Sequence, residues 1–197
     1  GVPEPEDVNA LGTHTVGLVA GKDGIGVAPG AEWIACRSLA RDVGNVLMYL
    51  TCMQFTLAPY PRSGDAFTDG KPARGADLVE AAFTVGSVGR NLHVADFSSR
   101  GPVSADGSGR VKPDVVAPGA GIVSAMPAGR YAQLGGSSMA SSLVSGVVAL
   151  LWSADPALIG DIDRTKAILT ESAAPVYGGS AACRDPRNSS GYGRVDA

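Results

Sequence analysis

The 197-residue chain predicts an α/β domain on a mostly parallel sheet with helices on both faces. Three observations carry this. Short β-type runs at 82–88, 92–97, 111–117 and 122–125 are each bounded by Gly or Pro. Apolar-periodic runs at 138–152 and 161–172 read as helices after them. Glycine contributes 27 residues, roughly twice its usual share of about 7%. With 13 prolines, this favours tight turns between short buried elements over a helical bundle.

In chain order, residues 1–10 are acidic and contain proline, which predicts a surface loop. THTVGLVA at 13–20 predicts a short buried helix, with Thr13 placed to cap it. GKDGIGVAPGA at 21–31 is turn chemistry around a short apolar centre, and EWIACRSL at 32–39 predicts a buried strand. Over 42–57, Val46, Leu47, Leu50, Met53 and Leu57 fall near helical spacing and predict a helix. Residues 58–77, rich in Pro, Gly, Asp and Arg, predict a loop. After the β-type runs, SMASSLVSGVVALLW at 138–152 is apolar nearly all round, as in a helix buried inside an α/β domain. The helix at 161–172 is more amphipathic, with Ile162, Ala167, Ile168 and Leu169 facing inward. Neither end closes an element, so the expectation is a partial domain cut from a larger one.

Composition narrows the function classes. Hydrophobic residues are 45% of the chain, enough for a core. The net charge is −3 with no basic run, which gives no footprint for nucleic acid. The longest strictly apolar run, 147–152, is too short to span a bilayer, and residue 1 opens without the pattern of a signal peptide. With only His14 and His93 and no C-x-x-C pair, a zinc site lacks ligands. Of the three cysteines, Cys36 and Cys52 are compatible with one bridge or with buried thiols, and Cys183 makes the count odd. GKDGIG does not match a dinucleotide fingerprint or a P-loop, so no cofactor is expected.

The segment that carries chemistry is LGGSSMASSLVSG at 134–146. Two glycines, two serines and a long apolar helix place a hydroxyl at a helix N-terminus. Unpaired N–H groups and the positive dipole end there favour a developing oxyanion, as in acyl transfer by a serine nucleophile. Local physics alone also permits plain N-capping by serine.

GGSSMASSLVSGVVALL at 135–151 resembles the serine-site motif of the subtilisin-like serine proteases, G-T-S-M-A-x-P-H-V-[AS]-G. LGTHTVGLVAG at 11–21 resembles that family's H-G-T-H-[VT]-x-G-x-[VI]-A-G. GVAPGAEWIACR at 26–37, FTVGSVG and ADFSSRGP within 83–102, KPDVVAPGAGIVSA at 112–125 and GYGRVDA at 191–197 follow in the family's order. The resemblance implies a subtilisin-like fold, an Asp-His-Ser triad with an asparagine donor in the oxyanion hole, protein or peptide substrates, and secretion. On this alignment Ser138 is the nucleophile, preceded by Gly136 and Ser137.

Departures from the family pattern are specific. Leu11 stands where the resemblance places the catalytic histidine, and leucine cannot take a proton. His14 matches the motif's second histidine, expected to be packed or hydrogen-bonded, and His93 lies in a turn-like segment before FSSRGP. No aspartate fits the orienting position; Glu4, Glu6 and Asp7 read as solvated surface charges. The interval 59–80, where the oxyanion asparagine would fall, contains no Asn, which predicts an internal deletion within 58–80. The Pro-His pair after the nucleophile is Ser142 and Leu143, and Asp23 alone is a poor calcium site. Two readings follow. One is a serine endopeptidase domain, inactive as written. The other is a non-catalytic pseudoprotease that acts as a peptide- or protein-binding module. A chain with a strand and an internal segment missing is expected to expose sheet edge and to fold only in part.

Overall fold

Two valine-bearing runs, VGSV and VVAP, form the centre of the domain. β3 (Val85–Val88) and β4 (Val115–Pro118) pair in parallel, with Val85 opposite Val115 and Val88 opposite Pro118. The computed structural model describes residues 7, 10–36, 39–40, 43–44, 52, 83–104, 107–177 and 185–196. Strand alternation sends Val115 and Ala117 into one cluster and Val88 and Val116 into another on the opposite face.

The first face is covered by α2 (Ser137–Ala154). Its Ala140, Val144, Val148 and Trp152 recur every fourth residue, so one stripe meets the sheet. The expectation of a helix apolar all round on buried sides needs correcting, because Ser141 and Ser145 are exposed and Leu150 is 45% exposed. By length and composition α2 is apolar enough to cross a bilayer, yet its stripe is occupied by β3 and β4. The second face carries Val94, with Val176 packed against the cluster.

α3 (Ile162–Glu171) closes the first cluster. Asp161 caps it by accepting from the Arg164 N–H at 3.1 Å. Leu169 is buried in the core, while Ile162 and Ile168 are half-buried against it. Thr165 receives the Trp152 indole N–H at 2.9 Å and donates to the Asp161 carbonyl at 2.8 Å, so a buried polar pair is fully used. α4 (Arg187–Ser190) precedes a terminal stretch in which Val116 and residues 193–195 exchange backbone hydrogen bonds along the other edge of β4. The Arg187 guanidinium, chiefly through its side-chain hydrogen bond, holds the Asp185 carboxyl below its usual range. Arg187 is exposed and Asp185 half-buried at the surface, so the pair adds little to stability.

α1 (Leu11–Ala20) packs on α2 and on β5 (Ile122–Met126), which forms an antiparallel hairpin with β6 (Arg130–Leu134). Gly17 of α1 and Gly146 of α2 permit the close approaches: a Cβ at Gly17 would lie 2.5 Å from Ser124 Oγ, and one at Gly146 would lie 2.6 Å from the Val27 Cβ. The β6 arm, RYAQL, was not expected as a strand. Its residues are exposed or half-buried and lack the apolar alternation that marks a strand in sequence.

Three other expectations change. Residues 31–36 have no ladder partner among the described residues, so Trp33 is 60% exposed instead of buried in a strand. Among the described residues of that run only Leu39 is in a strand, β1 (Leu39–Ala40), which pairs with β2 (Val43–Gly44), a strand where a helix was expected to begin. Residues 92–97 form isolated bridges only, because Leu92 adopts φ 59 in a turn closed onto Gly89. Cys36 and Cys52 are bridged, with Cα atoms 5.4 Å apart. Cys183, Glu4, Glu6 and most of 42–82 lie outside the described residues.

Asp114 ties the two central strands at their entry. Its Oδ2 accepts from the Thr84 N–H at 2.6 Å, the Thr84 hydroxyl at 3.0 Å and Lys112 Nζ at 2.5 Å. Asp114→Ala removes the acceptor these donors share and, since the Thr84 bonds are exposed to water, is expected to cost about 1 kcal/mol in urea unfolding. Asp114→Asn, which keeps an acceptor for Thr84, is expected to lose less. Equal stability of wild type and Asp114→Ala would show that the network is dispensable.

Candidate active site

Ser138 is the second residue of α2 and is exposed. No side chain caps this helix. The Ser137 and Ser138 N–H groups therefore face outward without a backbone acceptor among the described residues, at the positive end of an 18-residue dipole. The Ser138 hydroxyl makes no hydrogen bond among the described residues. Behind it, Met139 is buried. Ser142 donates its hydroxyl to the Ser138 carbonyl at 2.9 Å, fixing the first turn at a place where the sequence had offered only a lost proline. This geometry can stabilise an oxyanion through backbone N–H groups, but it supplies no base.

The position where the resemblance places a base carries a hydrocarbon side chain. Leu11 is the first residue of α1 and is 37% exposed, a hydrocarbon at the head of a helix that packs on α2. Ala10 turns the chain into α1 at φ 62 and offers no capping side chain. Asp7 caps the helix instead: its Oδ2 accepts from the Thr13 N–H at 2.5 Å. The reading of Asp7 as a solvated charge is thereby corrected, because the orphan N–H groups of the first turn attract the carboxylate. Thr13, expected as the cap, lies within the helix, and its backbone is the donor.

His14 is fully buried one turn further on. Its Nε2 is 3.1 Å from the Ala132 carbonyl, which can only accept, so Nε2 carries the proton. Nδ1 has no partner among the described residues, and the His14 carbonyl accepts from the Ser124 hydroxyl at 2.7 Å. The ring is thus turned to the β5–β6 hairpin as a fastening for α1. His93 is exposed and pairs with Tyr177, ring centroids 6.4 Å apart. Among the described residues it makes no hydrogen bond or ring contact with residues 135–139. Asp23 sits at φ 58 in an exposed turn, and among the described residues no three metal-ligating side chains cluster. The interval 59–80 lies outside the described residues.

A cleft of about 150 Å³ opens beside Ser137, floored by Val85 and Gly86 of β3, with Arg100 and Lys112 among its walls. Sequence reasoning missed this feature, because it joins β3 to segments that are remote along the chain.

Comparison with known proteins places this arrangement. The family model described as the subtilase family matches residues 63–194. Bacillopeptidase F of Bacillus subtilis (strain 168) is 31% identical over 252 residues, covering all of this chain and 17% of that protein. Subtilisin BL of Lederbergia lenta is 27% identical, covering 79% of this chain and 68% of the relative. The chain thus spans under a fifth of the first relative and about two thirds of the second. Among solved structures, the prenylagaramide maturation protease PagA superposes with a TM-score of 0.68 at 20% identity, over 98% of this chain and 82% of its own. A cold-adapted subtilisin-like serine proteinase gives 0.63 at 22% identity, over 91% and 72%. At those identities the likeness is one of fold, α/β with a parallel sheet. The family model's match over residues 63–194, most of the chain, establishes that this chain belongs to the subtilase family.

Proposed function

We propose that this chain is part of a serine endopeptidase domain in which Ser138 occupies the nucleophile's position, and that as written it does not cleave peptides at a useful rate. The observation that carries the reading is the contrast between the two helix heads. α2 presents an exposed hydroxyl among free N–H groups, whereas α1 presents Leu11 and buries its one imidazole against Ala132. Without a base the hydroxyl is an ordinary alcohol. In subtilisin, itself a member of this family, loss of the histidine costs on the order of 10⁶ in turnover.

A partial domain with an internal deletion is supported by the comparison with Bacillopeptidase F, whose match extends over 252 residues against 197 here. Protein or peptide substrates and an extracellular setting follow from the resemblance to bacterial subtilisins. The second reading, a pseudoprotease that binds peptides without cutting them, draws on the surface cleft beside Ser137 together with Leu11 in place of a base.

The test compares wild type with Ser138→Ala on a mixed fluorogenic peptide library. Equal background rates are expected. A wild-type rate well above that of Ser138→Ala would refute inactivity, and saturable peptide binding to both proteins would favour the binding module.

A further inference from the structure

A backbone relay that starts in the sheet holds Ser138 in place. The Gly119 N–H donates to the Val88 carbonyl at the end of β3 at 3.0 Å. The Gly136 N–H donates to the Gly119 carbonyl at 2.8 Å, and the Met139 N–H donates to the Gly136 carbonyl at 3.1 Å, opening α2. Each bond hands position to the next, from the buried strand to the turn that carries the hydroxyl.

Position 119 has no space for a side chain. A Cβ there would collide with Ser87 Oγ and lie 2.7 Å from the Gly136 carbonyl oxygen. Ser87 is fully buried, and its hydroxyl has no partner among the described residues, so it has no solvent to retreat into. The Gly136 oxygen is backbone and already engaged by Met139. Gly119 is not among the residues with positive φ, so the requirement is for close approach and not for an unusual conformation.

We propose that Gly119 is a positioning residue for Ser138: its missing side chain, which leaves room for the Gly136 carbonyl, sets how closely the 135–138 turn sits on the sheet. The functional consequence rests on Ser138 being the nucleophile; the geometric claim does not. Any side chain at 119 lifts Gly136 and re-aims the first turn of α2. A displacement on the order of 1 Å at a reacting group is enough to cost about 10²-fold in rate.

The test uses the nitrogen-15-labelled chain and its Gly119→Ala variant. The amide signals of residues 136–139 are expected to shift, and the Gly136 N–H to exchange about tenfold faster. The Trp152 indole N–H, bonded to Thr165 in the core, is expected to keep its position. A Gly119→Ala/Ser87→Gly double variant removes the collision with Oγ but leaves the one with the Gly136 oxygen. It is expected to recover part of the thermal midpoint without recovering the 136–139 signals, and it carries the test if the single variant does not fold. Unmoved 136–139 signals in the single variant, or full recovery of those signals in the double, would overturn the proposal. In a Leu11→His background, Gly119→Ala is expected to slow fluorophosphonate labelling of Ser138 by about 10²-fold. No labelling at Ser138 in the Leu11→His parent counts against the nucleophile reading, and the amide signals decide Gly119 in either event.

Discussion

Leu11→His is expected to raise peptide turnover by up to about 10²-fold over wild type and to make Ser138 labelable by a fluorophosphonate. The size follows from how triad members act together. In subtilisin, removing the histidine costs about 2 × 10⁶ in turnover, while removing the aspartate alone costs about 3 × 10⁴. A chain that regains the base but has no aspartate at the orienting position moves between those two levels and no further. Position 11 suits the change, since Leu11 is partly exposed at the first turn of α1, where an imidazole enters without disturbing the core. The new ring has nothing to fix its tautomer, which is why the gain stops well short of a complete triad. The measurement is the rate on a fluorogenic peptide, with labelling mapped by mass spectrometry and Leu11→His/Ser138→Ala as control. Equal rates in Leu11→His and that control, with helix content unchanged, would remove Ser138 from the nucleophile's role.

The turn at 134–138 and the helix after it were legible in the sequence because both signals are local. Gly-Gly-Ser-Ser breaks one element, and Ala140, Val144, Val148 and Trp152 repeat at the spacing that starts the next. The parallel pair was legible for the same reason, as two valine-bearing runs between glycines and prolines. What escaped was non-local. Trp33 and Ile34 have the composition of a buried strand but no ladder partner among the described residues, and apolar composition cannot report a neighbour's absence. Gly119 is one glycine among 27 until the structure sets Ser87 and Gly136 against it. Asp7 looked solvated because its acceptor role depends on where α1 begins, and helix ends are the least certain feature of a pattern.

His14→Ala is expected to destabilise the chain by about 3 kcal/mol in urea unfolding, the largest single-residue loss anticipated here. Two costs combine. A fully buried ring leaves a cavity between α1 and the β5–β6 hairpin, worth about 2–5 kcal/mol in comparable large-to-small changes. The Ala132 carbonyl also loses the Nε2–H donor, and an orphaned buried acceptor costs about 1–3 kcal/mol. Relaxation of α1 recovers part of the sum. Glutamine carries an amide nitrogen near the place of Nε2, so His14→Gln is expected to retain most of the stability. The same pair of variants separates fastening from catalysis. If His14 fastens α1, His14→Ala in a Leu11→His background erases the gain in turnover, because the new base loses its seat, while His14→Gln keeps it. If His14 were itself the base, the wild-type chain would turn over peptide, and His14→Gln would abolish that activity with stability almost unchanged. The buried ring, hydrogen-bonded to a carbonyl on a neighbouring hairpin, favours the first outcome, since a base must present a bare nitrogen to the serine hydroxyl.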